Sequence, residues 1–501
     1  MNLQLYDAWL IRNDHGLGEG TQDKVARQHA SGKYTALERL NLLLDPESFI
    51  EFDRQATSAV ITGFGTIDGR QVAIYAQDFT IKGGSLDKRH AEKICKIMDK
   101  AAAVGCPIIG MIDSGGARID QGIHALAGYG SIFKRNAQYS GVIPQISLIL
   151  GPCAGGAVYS PALTDFVIMV EQISQMFITG PQVIQEVMHQ TITKEALGGA
   201  QVHAAASGVA HLISPTEDAC FTTVKQLLAF LPSSYCDELP VAILSTAEQA
   251  SSNLASLVPS NKQQAYNVIT VIGAIVDDAS FFQLQEHFAP NIVIGFARMA
   301  GNTVGIVANQ PLHKAGTIDI DASCKAARFV QCCDSFGVPI ITLVDTPGFL
   351  PGIEQEHNGI IRHGAKLLYA YATASVPKIT LILRKAFGGA YIVMGSKEMG
   401  ADINYAWPDT HIAVLGAKAA VTIMHGKHLA RMPDDERHAV QQDLEQEYAE
   451  QFLNPFIAAE YGYIDAIIQP AETRQYLIQA LSVMRDKVER HPTRKHGNMP
   501  L

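Results

Sequence analysis

Four short stretches of the chain are almost wholly apolar: IIGMI at 108–112, ISLIL at 146–150, IITLV at 340–344 and ITLIL at 379–383. Each is the length of a strand and too short for a helix, and continuous apolar character predicts strands covered on both faces. Strands are also predicted at 72–77 and 304–309, and helical spacing at 87–104 and 319–336 places a helix between each pair. Strands alternating with helices make this an α/β chain of parallel βα units. Before the first unit, Ser31-Gly32-Lys33 opens a run with helical spacing through Leu37, Leu40 and Leu43, a helical lead-in.

The two halves repeat each other. CPIIGMIDSGGAR (106–118) and VPIITLVDTPGFL (338–350) share five of 13 positions at an offset of 232. VIPQISLILGPCAGGA (142–157) and SVPKITLILRKAFGGA (375–390) share eight of 16 at an offset of 233. Buried strands resemble one another through composition alone. Composition does not reproduce an Asp-x-x-Gly turn and a Gly-Gly-Ala loop at matching distances, so the chain reads as a duplication. Between the copies, 232–262 is rich in Ser, Pro and Asn, as a domain boundary is. The expected domains are 1–245 and 246–501.

The glycine loops lie at the carboxyl ends of predicted strands, where α/β folds bind ligands. Glycine lets backbone N–H groups approach a ligand, and a following helix favours negative charge there. Such loops suit the oxygen of a thioester as an enolate forms, each donor being worth ~2.7–4 kcal/mol in the transition state. Glycine pairs also permit tight helix–strand packing; their recurrence in both copies favours chemistry. Asp113 and Asp345 read as caps of the following turns. Arg118 suits either a phosphate or a neighbouring carboxylate. Cys153 has no basic partner to activate it, and the histidines at 90, 203, 211, 363 and 411 lack metal-ligand spacing. No acid/base constellation stands beside the loops, which suits a proton acceptor brought by a cofactor.

Composition removes other classes. The chain has 501 residues, 47% hydrophobic and 18% charged, with a formal net charge of −10. That is enough for two cores and offers no general basic field for nucleic acid; the basic run 485–495 reads as a solvated tail. The eight cysteines form no Cys-x-x-Cys pair, so they read as thiols of a reducing compartment rather than zinc ligands. No phosphate-binding G-x-x-x-x-G-K-[ST] loop, secretory signal or apolar run of membrane-spanning length occurs. A cytoplasmic chain is expected.

Longer motifs point to a family. KVARQHASGKYTALERL, DSGGARIDQGIHALAGYGSIF, GVIPQISLILGPCAGGAVYSPALTDF, FITGP, LGGAQVHAAASGVAHL, DTPGFLPGIEQEHNGIIRHGAKLLYAYA and VPKITLILRKAFGGAYIVMGSK resemble the carboxyltransferase β subunits of biotin-dependent acyl-CoA carboxylases, propionyl-CoA carboxylase above all. The resemblance implies two tandem crotonase-like domains, the first on the acyl-CoA side and the second on the biotin side. It implies that carboxybiotin on a separate carrier releases CO2 and that its ureido nitrogen takes the α-proton of a short acyl-CoA, propionyl-CoA or acetyl-CoA. The amides of Gly115-Gly116 and Gly155-Gly156 would then hold the thioester enolate, and those of Gly388, Gly389 and Ala390 the ureido oxygen. Arg118 and Ile392 would contact substrate; Ile392 stands where propionyl-CoA carboxylases often carry Asp. No metal on this chain is implied. Expected partners are a biotin carboxylase and biotin carboxyl carrier, since no Met-Lys-Met biotinylation site is present, and further copies of the chain in a ring-shaped hexamer.

The same motifs suit a methylmalonyl-CoA decarboxylase or transcarboxylase subunit running the half-reaction backwards. A biotin-free crotonase that hydrates enoyl-CoA would need a glutamate pair, which GPCAGGAVYSPALTDF does not supply. The segment 416–432 fits the family less well, and Lys418 is expected to disturb its helix.

Overall fold

The computed structural model describes residues 20–56, 58–242 and 254–500. They form two compact units dividing after Glu238; the boundary expected at 245/246 lies outside the described residues.

In the first unit, helices α1 (Gln22–Ala30) and α2 (Ala36–Leu43) lead into strands β1 (Ile50–Phe52), β2 (Val60–Ile67) and β3 (Arg70–Gln77). Then come helix α3 (Lys88–Val104), strand β4 (Ile108–Ser114), helix α4 (Ile123–Gln138) and strand β5 (Gln145–Ala154). β6 (Phe166–Val170), β7 (Gln175–Phe177), β8 (Leu212–Ser214) and helix α5 (Glu217–Leu228) follow, with shorter helices at Tyr159–Leu163, Pro181–Met188, Lys194–Gly198 and Ala200–Ala205. The sheet order is β1-β2-β3-β4-β5-β6-β8, with β7 on β5. β1, β2 and β3 pair antiparallel and everything beyond β3 is parallel. All seven residues of β4 are buried, as its apolar run predicts. Each such Ile contributes roughly 1.5–3 kcal/mol.

The second unit repeats the plan. Helix α6 (Val268–Ile275) precedes β9 (Phe282–Leu284), β10 (Ile292–Met299) and β11 (Asn302–Asn309). Helix α7 (Ile320–Ser335), β12 (Ile340–Thr346), α8 (Ile360–Thr373) and β13 (Lys378–Phe387) follow. Helix α9 (Gly388–Val393), β14 (Ile403–Ala406), β15 (His411–Ala413), α10 (Ala417–Leu429), α11 (Asp434–Phe452), β16 (Ala466–Ile467) and α12 (Thr473–Val483) end it. Its sheet order is β16-β14-β13-β12-β11-β10-β9, with β15 on β13.

The repeat extends to atomic detail. Ile109 pairs with Ile146 and Ile341 with Ile379, and the register slips between Ile112 and Ser114 and again between Val344 and Thr346. Asp87 caps α3 through the His90 N–H and Asp319 caps α7 through the Ala322 N–H, both at 2.9 Å. The helix expected to be disturbed is intact: α10 runs unbroken past Lys418, which is exposed. A lysine on a solvent face has helix propensity close to that of Leu.

Candidate active site

Both register slips fall on an aspartate, and both aspartates are fully buried. Asp113 accepts from Gln28 Nε2 at 3.0 Å, Lys33 Nζ at 2.9 Å and Arg39 Nη1 at 3.0 Å. Arg39 also donates to both oxygens of Glu217 at 2.8 Å and to the Leu150 carbonyl at 2.8 Å. Burial raises the pKa of Glu217, against the pull of Arg39. Asp113 is thus the buried anchor onto which the lead-in closes, with no oxygen left for proton transfer. Sequence reasoning gave the lead-in its helix and missed this role.

The second unit neutralises its aspartate differently. Arg384 donates to Asp345 at 2.9 Å, lies over the Tyr266 ring and is held by the carbonyls of Asn261 and Gln264. Burial raises the pKa of Asp345, opposed by Arg384 and Lys385. Arg384 occupies the position of Gly151 in the first copy. A Cβ on Gly151 would come within 1.9 Å of Asp113 Oδ1, so the first copy has no room for a side chain there and takes its cations from Lys33 and Arg39.

Past Asp113 the chain turns into the first glycine loop. The Gly115 N–H donates to the Gly83 carbonyl at 2.9 Å. This corrects the expectation that it faces an oxyanion: the amide is spent on the loop preceding α3. Gly116 adopts φ +98, and a Cβ there would meet the Ala154 carbonyl at 2.6 Å, so the loop is pressed against the end of β5. Its N–H reaches the Ser114 hydroxyl at 3.1 Å. Leu86 donates to the Gly116 carbonyl and accepts from Arg118 N–H, a parallel bridge that turns the Ala117 amide away from Leu86. That amide has no protein acceptor among the described residues.

The second loop follows β5. Gly155 (φ +65) and Gly156 open a short 3-10 turn; the parallel ladder that pairs Ala154 with Phe177 uses the Gly155 N–H, which corrects its reading as an oxyanion donor, and the Gly156 amide is left without a partner inside the turn. In the second unit, Gly388 (φ +57), Gly389 and Ala390 are likewise the first three residues of α9. A Cβ on Gly389 would contact only the Phe349 ring, at 3.6 Å. Ile392 lies one turn on, 43% exposed.

The remaining candidates resolve plainly. Arg118 is engaged by carboxylates: Asp87 at 2.6 Å, and Asp120 through both oxygens at 3.1 and 2.7 Å. Burial pushes the Cys153 thiol up to about 12, so it is no nucleophile at neutral pH. His90 is fully buried beside Gln77, and burial lowers its pKa to about 4. His203 bonds the Met176 carbonyl, and His211 accepts the Val167 N–H.

The carboxyl transferase domain family matches residues 27–499. The chain belongs to this family. It is 50% identical to the propionyl-CoA carboxylase beta chain of Saccharopolyspora erythraea, over 98% of this chain and 94% of that one. It is also 48% identical to the methylmalonyl-CoA decarboxylase subunit alpha of Propionigenium modestum, over 97% and 96%. A crystal structure of the transcarboxylase 12S hexamer, with methylmalonyl-CoA and methylmalonic acid bound, superposes with a TM-score of 0.94 at 44% identity, over 99% of this chain and 98% of that one. This carboxyltransferase accordingly has the two tandem crotonase-like domains that its motifs imply. Among the described residues, no helix is long and apolar enough to cross a membrane.

Proposed function

We propose that the chain is the carboxyltransferase subunit of a biotin-dependent acyl-CoA carboxylase, acting on a short acyl-CoA, propionyl-CoA first and acetyl-CoA next. The observation that carries this reading is the pair of glycine loops at matching helix starts in the two units, Gly156 and Gly389 in equivalent places, neither with a side-chain base beside it. In the first unit the amide of Gly156, with Ala117 in place of Gly115, holds the thioester oxygen as negative charge develops on it. Gly116 presses its loop against Ala154 and so fixes the spacing of these donors. Arg118 serves the site indirectly, tying the loop to Asp87 at the start of α3.

The second unit fits a ureido oxygen. Gly388 and Gly389 leave the backbone bare at the start of α9, and the Gly389 and Ala390 amides are the donors. When bound, carboxybiotin supplies the CO2 and the ureido nitrogen that accepts the α-proton. The chain binds and orients both partners and keeps its own carboxylates, Asp113 and Asp345, locked in ion pairs away from the reaction. Ile392, in the turn after these donors, lines the acyl pocket. The biotin arrives on a separate biotin carboxyl carrier loaded by a biotin carboxylase.

The assembly is a hexamer, as in the transcarboxylase 12S structure, with the first half of one chain facing the second half of another. Exposed apolar side chains flank both loop systems, Ile119 and Ile123 in the first and Ile353 and Ile361 in the second, and such surfaces mark interfaces. The similarity to a methylmalonyl-CoA decarboxylase subunit favours a second reading, the same half-reaction run in reverse. Supplying the chain with a carboxylated biotin carrier and following label into acetyl-, propionyl- and butyryl-CoA tests the function. Label enters propionyl-CoA fastest. No transfer to any of them, with activity on an enoyl-CoA instead, refutes it.

A further inference from the structure

Gly156 and Gly389 stand at equivalent places in the two units, and each rests on an aromatic ring. A Cβ on Gly389 would meet the Phe349 ring at 3.6 Å, and a Cβ on Gly156 would have Tyr129 Cδ2 as its nearest atom, at 3.9 Å. The two rings come from different elements. Phe349 belongs to the loop after β12, where the first unit has Ala117, whereas Tyr129 projects from α4. On α8, Gly364 makes room for Phe349, since a Cβ there would come within 3.1 Å of the ring. The floor beneath the glycine is therefore supplied by the loop in one unit and by the helix in the other. Only the helix version carries a hydroxyl.

That hydroxyl is placed at the root of both first-unit loops. Tyr129 is 5% exposed, and its oxygen is sealed from solvent without a hydrogen bond of good geometry among the described residues. Its polar neighbours are the Ser114 hydroxyl and the Cys153 thiol, which pair across the rung just past the register slip of β4 and β5. Ser114 directly precedes Gly115 and accepts the Gly116 N–H at 3.1 Å, and Cys153 lies two residues before Gly155. The ring stacks on Phe133 with centroids 5.7 Å apart, and Phe133 packs edge-on against Tyr159, the residue that closes the Gly156 turn. In the second unit the matching rung is Thr346 with Ala386. Thr346 accepts the Gly348 N–H at 3.3 Å, and the floor ring there, Phe349, has no hydroxyl.

We infer that Tyr129 is a positioning residue of the thioester site: its ring sets the height of the Gly156 amide, and its hydroxyl acts through Ser114 on the loop that carries the Ala117 amide. This rests on the reading of the chain as an acyl-CoA carboxyltransferase. A buried hydroxyl calls for an acceptor, and contacts of this kind tighten when a site closes on its ligand. Burial raises the pKa of the phenol, so it stays protonated and is the donor to Ser114. Tyr129 touches no substrate, because its oxygen is closed off behind the loops. Both enolate donors hang on this one side chain, and an error in either distance is felt where charge develops.

The test is carboxyl transfer from a carboxylated biotin carrier to propionyl-CoA by the full-length chain. Tyr129→Phe keeps the floor and the parent's Tm, since a hydroxyl without a partner adds nothing to stability. It lowers kcat about tenfold, equivalent to about 1.4 kcal/mol, while KM for propionyl-CoA moves less than about twofold. Ser114→Ala loses at least as much, and the double variant falls no further than Ser114→Ala, because both remove the same link. The pH profile of kcat keeps its shape, and breakdown of carboxybiotin without acyl-CoA, which belongs to the second unit, keeps the parent's rate. A Tyr129→Phe enzyme with the parent's kcat, or losses that multiply in the double variant, overturns the assignment while leaving the proposed function standing. So does an altered pH profile or an equal loss in carboxybiotin breakdown. A parent that transfers label to no acyl-CoA overturns both.

Discussion

Replacing Arg39 by Leu separates the buried network of the first unit into its parts. The guanidinium makes one hydrogen bond to Asp113, two to Glu217 and one to the Leu150 carbonyl, with no solvent exposure. Asp113 keeps Lys33 and Gln28 after the substitution, whereas Glu217 keeps only the Tyr34 N–H at 3.3 Å. The cost therefore falls on Glu217, a buried carboxylate without a cation, and is about 3–5 kcal/mol. Burial already raises the pKa of Glu217, and without Arg39 it rises further. A carboxyl whose folded pKa lies above its unfolded value takes up a proton on folding, so the variant's deficit is largest at high pH and shrinks as pH falls. Thermal unfolding at fixed protein concentration reads this: a large loss at pH 8, a smaller one at pH 6, and recovery of most of it in Arg39→Leu/Glu217→Leu. A single variant as stable as the parent, or a double variant no better than the single, refutes the assignment of the cost to Glu217.

Gly389→Val fills the cradle at the start of α9 and stops transfer from carboxybiotin while leaving CoA affinity intact; loss of both in paired transfer and binding assays contradicts the division of roles between the units. Ile392→Asp shifts the acyl preference from acetyl-CoA toward propionyl-CoA, read as the ratio of their kcat/KM values. His90, held near 4 by burial, stays neutral in the fold below the pH at which it protonates in the unfolded chain. Its contribution is present above about pH 6.5 and is lost as pH falls toward 4, roughly 3 kcal/mol in all, and His90→Gln flattens that acid limb of the Tm-against-pH curve.

The duplication was legible because it lies in backbone-determining residues. The apolar strand runs, the Asp-x-x-Gly turns and the Gly-Gly-Ala loops carry register, bulge and turn, and the structure reproduces each at offsets of 232 and 233. What the sequence concealed are choices between partners. Nothing in the spacing of Gln28, Lys33 and Arg39 reveals that all three converge on one oxygen pair about 80 residues away. The Gly115 amide looked available until the left-handed turn at Lys82 and Gly83 brought a carbonyl beneath it. Arg118 was open to a phosphate or a carboxylate, and its distance from Asp87 decided the matter. The substitution of Gly151 for Arg384 reads as drift in an alignment of the halves. Only with Asp113 and Asp345 in view does it become a change in where the cation comes from.

That exchange bears on how the two halves came to differ. An arginine at 151 cannot coexist with Lys33 and Arg39 around the same carboxylate, and a glycine there without the lead-in abandons a buried charge. A buried carboxylate left without its cation costs about 3–5 kcal/mol, a large share of the roughly 5–15 kcal/mol that holds a domain folded. The first half has since been bound to a segment its twin never needed, and an N-terminal truncation that spares every residue of the two sheets still removes half of an ion pair from the centre of one of them.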